Sequence, residues 1–203
     1  MLGYYARLFT SSRRWLLIAA ALFVLGMAVG LAFGISQPDL SRQRLELAMT
    51  ELRANVGPIE AGTWTGVSGI FLNNVRASAI VLAASLFFGL MAGFGLIANG
   101  VLLGLLMGVA TMGVGRVPWY FVPVGILPHG VIEIPAFLIV GAWGLRLGLR
   151  WLAADAAGRR WQVWLGVFGE TLRLAPLLIL LFGVAAMIEV MVTGLLLRGL
   201  APL

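Results

Sequence analysis

The sequence predicts an all-α, polytopic membrane bundle with about five spanning helices, and three observations predict it. Of its 203 residues, 61% are hydrophobic and only 11% charged, against about 45–50% and about 25% in soluble domains. So few charges could not cover the surface of a water-soluble protein of this size. Several apolar runs reach the ~20 residues needed to cross a ~30 Å hydrocarbon core. The 14 basic residues, all of them arginine, are spread along the chain and flank those runs, as basic residues do at membrane borders.

The chain reads as one integral membrane domain over residues 1–203. Its first run, Trp15 to about Ile35, follows Arg13 and Arg14 and lacks a small-residue cleavage site, so it reads as a retained helix. Residues 38–70 differ in kind and are expected to lie outside the membrane. Asp39, Arg42, Arg44, Glu46, Glu51, Arg53 and Glu60 fall there, about a third of all the charge. Asp39-Leu40-Ser41 opens an amphipathic pattern with Leu45, Leu52 and Val56, closed by Gly57-Pro58: a short surface helix between the first and second spans.

From Val75 to Met112 the sequence is almost uninterrupted apolar. One helix of that length would measure about 57 Å, far more than a bilayer. The run is therefore expected to break at Gly93-Phe94-Gly95 and Asn99-Gly100, giving helices over about 75–96 and 99–115. Val117 to Leu127, with Pro118, Trp119, Tyr120 and Pro123, reads as an interfacial connection or a short re-entrant piece. The fourth span opens at Pro128 and runs to about Trp143–Leu149. Arg146, Arg150, Arg159 and Arg160 follow in a polar connection with Asp155 and Glu170, and the last span covers about Ala175 to Leu197. Trp143, Trp151, Trp161 and Trp164 read as interface anchors. With the N-terminus in the cytoplasm, Arg7, Arg13, Arg14, Arg146, Arg150, Arg159, Arg160 and Arg173 lie inside, close to helix ends, and six arginines lie outside.

Composition also removes whole classes of function. The arginines form no basic patch, so no nucleic-acid partner is expected. The absence of cysteine removes disulfides, thiolate metal sites and thiol nucleophiles. With a single histidine there is no multi-histidine metal centre, and one His with two Glu on separate helices is a poor basis for any metal, so neither metal nor cofactor is expected. The ionisable residues inside the spans are His129, Glu133 and Glu189, with Arg76 and Arg146 at helix ends. Each is expensive in lipid and therefore a candidate. His129 and Glu133, four apart, share a helix face. Glu133, Glu189, Asn74 and Arg76 come to one level of the bundle, whichever way it inserts, while Asn99 and Arg146 fall toward the opposite side. Arg76 paired with Glu133 or Glu189 would serve as a structural contact; a proton, ion or ligand site, or hydrolysis by His129 and Glu133, would make the same residues functional.

Glycine carries a second signal. Gly26, Gly30 and Gly34 form one face of the first helix, and Gly100, Gly104 and Gly108 one face of the third. Such small-xxx-small faces let backbones approach closely. They can close the chain's own bundle or join copies into a homo-oligomer, a dimer being expected.

Four ordered motifs carry a resemblance: Phe71-Leu-Asn-Asn74-Val-Arg76, Asn99-Gly100-Val-Leu-Leu-Gly104, Pro128-His129-Gly130-Val-Ile-Glu133-Ile-Pro135-Ala136 and Gly144-Leu-Arg-Leu-Gly148. Together they resemble the stage II sporulation protein M family over about residues 10–200. The resemblance implies a polytopic inner-membrane protein of about five spans. It also implies a non-enzymatic scaffold role, since the sporulation member works with partner proteins in septal peptidoglycan remodelling. The sporulation role itself is not carried over. The motif residues it marks are Asn74, Arg76, Asn99, Gly100, His129, Gly130 and Glu133. The expectation is a scaffold for an envelope complex in the inner (plasma) membrane, with the bilayer and envelope proteins as partners. The alternative is a small channel or transporter lined by Arg76, His129, Glu133 and Glu189.

Overall fold

A computed structural model describes residues 2–57, 60–86, 88–112, 121–153 and 157–200. Among these residues the secondary structure is helical, and five helices are long and apolar enough to cross a membrane. The order is α1 (Leu2–Ser11), α2 (Arg13–Ser36), α3 (Pro38–Val56), α4 (Trp64–Ala84), α5 (Leu90–Met112), α6 (Phe121–Gly125), α7 (Leu127–Leu149), α8 (Arg160–Met187) and α9 (Gly194–Leu200). A 3-10 turn, Arg150–Leu152, extends α7, and a π-helical segment, Ile188–Thr193, joins α8 to α9. The spans are α2, α4, α5, α7 with its extension, and α8 through Leu197.

The surface helix forms where its signals lie. Pro38 occupies the first turn of α3, Asp39 and Arg53 complement its dipole at opposite ends, and Gly57 ends it at φ 81°. Arg42 and Glu46 pair at 2.8 Å along its exposed face. Pro58, the other half of the stop signal, lies outside the described residues.

The second span starts earlier than the apolar pattern suggests. Thr63 caps α4 by accepting from the Gly66 amide at 3.2 Å, so residues 64–70 are continuous with the long apolar helix. Asn74 and Arg76 thus lie well inside α4 instead of opening it. The break in the long apolar run also moves, from Asn99 to the turn between α4 and α5. Phe88 and Gly89 both take positive φ there, 59° and 69°. Asn99 sits in mid-helix, its amide donating to the Gly95 carbonyl one turn back at 2.8 Å; glycines in lipid-facing helices mark close packing as readily as breaks. The turn is locked onto α7, because a Cβ on Gly148 would strike the Gly89 amide nitrogen and the Phe88 carbonyl carbon. The connection expected over 117–127 lies partly outside the described residues; α6 and the Ile126 turn follow it.

The two glycine faces meet each other. α2 and α5 make the most extensive helix contact in the bundle. A Cβ on Gly26 or Gly30 would strike the carbonyl of Ile97 or Val101, and one on Gly104 the Met27 carbonyl. Gly34 and Gly108 face one another directly, each Cβ position within 2.9 Å of the other's Cα. These faces close the chain's own bundle, so the feature that motivated a dimer is used internally.

α7 is the hub. Of the residues in its most apolar stretch 56% are buried, against 22–28% in the other spans. Ala136, Val140 and Trp143 follow one stripe into a core with Leu174, Leu178 and Phe182 of α8. Trp143, expected as an interface anchor, is 1% exposed. Trp161 does face outward, stacked on Trp164, which stacks in turn on Phe168.

Candidate functional site

α7 carries polar side chains near both ends. At its start, His129 and Glu133 lie one turn apart, with Nε2 3.8 Å from a Glu133 carboxylate oxygen and side chains only 13% and 17% exposed. The other Glu133 oxygen accepts from the Asn74 side-chain amide of α4 at 2.7 Å. Glu189 enters from the π-helical segment after α8, and one ligand atom each of His129, Glu133 and Glu189 lie within 4.8 Å of one another. The π turn is itself anchored: the Val190 carbonyl accepts from the Gly62 amide at 3.0 Å, tying the end of α8 to the start of α4. Such π segments occur often at functional sites.

The structure therefore gathers Asn74, His129, Glu133 and Glu189, four of the five residues expected at this level, from three spans. The fifth is not among them. Arg76 is exposed and makes no ion pair among the described residues. Two residues separate it from Asn74, a rotation of about 200° on a helix, so only one of the pair can face the bundle, and Asn74 does. Neither Glu133 nor Glu189 has an arginine within salt-bridge distance among the described residues. His129 Nδ1 is buried without a hydrogen-bond partner among the described residues, and so is the Thr193 hydroxyl at the end of the π-helical segment that carries Glu189. Motif residue Gly130 is buried beside His129.

At the other end of α7, Arg146 donates to Glu170 of α8 at 2.5 Å and to the Ser12 hydroxyl at 2.7 Å. Its guanidinium lies 5.3 Å from the Trp143 ring centre, a cation–π contact. Phe9 of α1 packs edge-on against the same ring, and the Tyr5 hydroxyl donates to the Arg173 carbonyl. This junction fastens α1 to the bundle. Asn99, expected near Arg146, is instead exposed midway along α5, beside a small cavity of about 60 Å³ that Ser78 also lines. Ser12, Glu170 and α1 carried no functional expectation. The expected polar connection after the fourth span includes Glu170, whereas in the structure Glu170 lies on α8, whose Val167, Thr171, Leu174 and Leu178 are buried at helical spacing.

A polytopic helical membrane protein with an intramembrane His/Glu/Glu/Asn cluster is the class that fold and site define. The family model described as "Stage II sporulation protein M" matches residues 19–194. The chain belongs to that family. It is also 31% identical, over 124 residues, to an uncharacterized protein of Methanocaldococcus jannaschii, a match covering 61% of this chain and 68% of that one. No solved structure matches.

Proposed function

We propose that the protein is a non-enzymatic scaffold of the cell envelope, seated in the inner membrane with its N-terminus in the cytoplasm, and that α3 is the element it offers to envelope partners. The observation that carries this reading is the exposure of α3. Ser41 is its one buried residue, while Arg42, Arg44, Glu46, Glu51 and Arg53 stand exposed beside Leu40, Leu47 and Met49. A charged helix outside five spans, with apolar side chains left uncovered, suits a contact surface. Family membership supports the same direction. The test is photo-crosslinking in cells from Leu47 and Met49, with Leu180 on the lipid-exposed side of α8 as the control. Adducts with envelope proteins from α3 alone are expected; lipid adducts alone from all three positions would overturn the reading.

A channel or transporter is favoured by one observation, the gathering of uncompensated carboxylates in the outer half of the bundle. The interior argues against a continuous path. Between Glu133 and Arg146, about 20 Å apart along α7, the core is filled by Ala136, Val140, Trp143, Leu174, Leu178 and Phe182. Liposome flux abolished by Glu133→Gln in a folded protein would restore the transport reading.

A further inference from the structure

We propose that His129, Glu133 and Glu189 form a binding site for one divalent first-row metal cation, with Asn74 as a positioning residue. The inference is independent of the scaffold reading.

The argument starts from charge. Two carboxyl groups and one imidazole are held together in a region flanked by lipid-facing helices, where an uncompensated charge is costly. No arginine reaches them among the described residues, and the chain has no lysine. One divalent cation cancels two carboxylates. A monovalent ion leaves a residual charge, and a single remote arginine does the same.

Geometry points the same way. The three ligand atoms already lie within 4.8 Å. A cation bound at about 2.0–2.2 Å from each needs them roughly 3.3–3.6 Å apart, a closure of about 1 Å that side-chain rotation supplies. The donors come from α7 and from the π segment, so binding would fasten two helices. Asn74 completes the arrangement from a third: its amide holds one Glu133 oxygen and leaves the other turned toward His129, as the outer partner of a metal-bound carboxylate does.

The donor set selects the ion. An imidazole nitrogen with two carboxylates suits Zn²⁺ or Mn²⁺, whereas Ca²⁺ requires six to eight oxygens. Three protein ligands leave at least one coordination position for water.

The experiment uses the full chain, tag-free, in detergent micelles and stripped with chelator. Zn²⁺ and Mn²⁺ are titrated separately by calorimetry, and bound metal is counted by elemental analysis. One equivalent per chain is expected. Glu133→Gln and Glu189→Gln should each weaken binding at least 10-fold, and Asn74→Ala by about 10–100-fold, while Arg76→Ala leaves it unchanged. The wild-type chain gives a second readout that survives misfolded variants. His129 is its only histidine, and it has no cysteine. Co²⁺ should therefore produce visible d–d bands and a paramagnetically shifted resonance from this one imidazole. Failure of all three ions to bind at one equivalent, or binding that leaves the His129 resonance unmoved, would overturn the proposal. In that case protons balance the carboxylates.

Discussion

Replacing Gly104 with alanine tests whether the glycine faces build the monomer or an oligomer. The added Cβ would meet the Met27 carbonyl oxygen and stand 2.6 Å from the Leu31 nitrogen. Both obstacles are backbone, so no side chain can turn aside, and α2 and α5 must part by about 1.5 Å to bring the Met27 oxygen out to ordinary contact near 3.5–4.0 Å. A gap of 0.5–1 Å forfeits a quarter to a half of each atom-pair attraction of about 0.1–0.2 kcal/mol. If the crossing makes only the 40–60 contacts of one buried leucine, the loss is about 1–6 kcal/mol. The better helix propensity of alanine returns at most about 1 kcal/mol. The expected net destabilisation is about 1–5 kcal/mol, measured by reversible unfolding in mixed micelles. Gly93→Ala is the matched control, since it lies on the same helix with nothing within 4 Å of its Cβ position; it should be neutral or slightly stabilising. Equal stability of the two variants would refute the packing argument. A Gly104→Ala protein that keeps its stability but changes its mass in native spectrometry would show that the face joins copies.

Four further outcomes follow from the same geometry. Arg146→Met should cost up to about 3–5 kcal/mol by stranding Glu170 and Ser12, and a double-mutant cycle with Glu170→Leu should recover much of it; additive losses would mean that the ion pair contributes nothing. Asn74→Leu should destabilise by about 1–2 kcal/mol, the range of a hydrogen bond to a carboxylate between membrane helices, as measured in the same unfolding assay. Arg76→Leu should cost no more than about 0.5 kcal/mol, and a larger loss would place Arg76 within the bundle's contacts. The cysteine-free background allows clean labelling of topology: Thr50→Cys and Leu86→Cys should react with a membrane-impermeant maleimide from opposite sides, Leu86 from the cytoplasm. Labelling of both from one side would refute the alternation of spans.

Much of this architecture is legible in the amino-acid pattern, and the failures have physical causes. α2, α3 and α7 carry local signals, namely flanking arginines, a proline and glycine at opposite helix ends, and an opening proline, so their limits fall close to expectation. α4 has the lowest mean hydropathy of the five spans, 1.4, because Thr65, Ser68, Asn73, Asn74, Arg76 and Ser78 dilute it. Its start is marked by the Thr63 cap rather than by apolarity. The α4–α5 turn is hidden for the opposite reason. Ser85 to Gly89 is as apolar as its surroundings, and what makes it a turn is its fit against Gly144 and Gly148 of α7, a tertiary fact. Helix rise counted along the sequence puts Asn74, Glu133 and Glu189 at one level. It cannot assign Arg76, because level is a matter of helix rise and facing is a matter of helix rotation, and the two depend on different residues.

The placement of polarity on α7 separates structural from functional groups. Both ends of the helix hold buried ionisable side chains, yet they are satisfied differently. At the Arg146 end the charges cancel within the protein, through Glu170 at 2.5 Å, and the guanidinium is further held by Ser12 and Trp143. That junction fastens α1 and α8 to the hub with its charges paired, although Arg146 Nε and Trp143 Nε1 are buried without hydrogen-bond partners. At the His129 end two carboxyl groups meet with no arginine within salt-bridge distance among the described residues, and the one amide donor there, that of Asn74, serves Glu133 alone. Removing Arg146 should therefore damage the fold. Removing Glu189 relieves its repulsion with Glu133 and should leave the unliganded fold no less stable, as a residue retained for a ligand requires, whereas removing Glu133 also forfeits its hydrogen bond from Asn74. Glu189→Gln measured against wild type after metal stripping makes that distinction. A loss of several kcal/mol in the metal-free state would make Glu189 a structural partner and return the cluster to the role of a helix fastener.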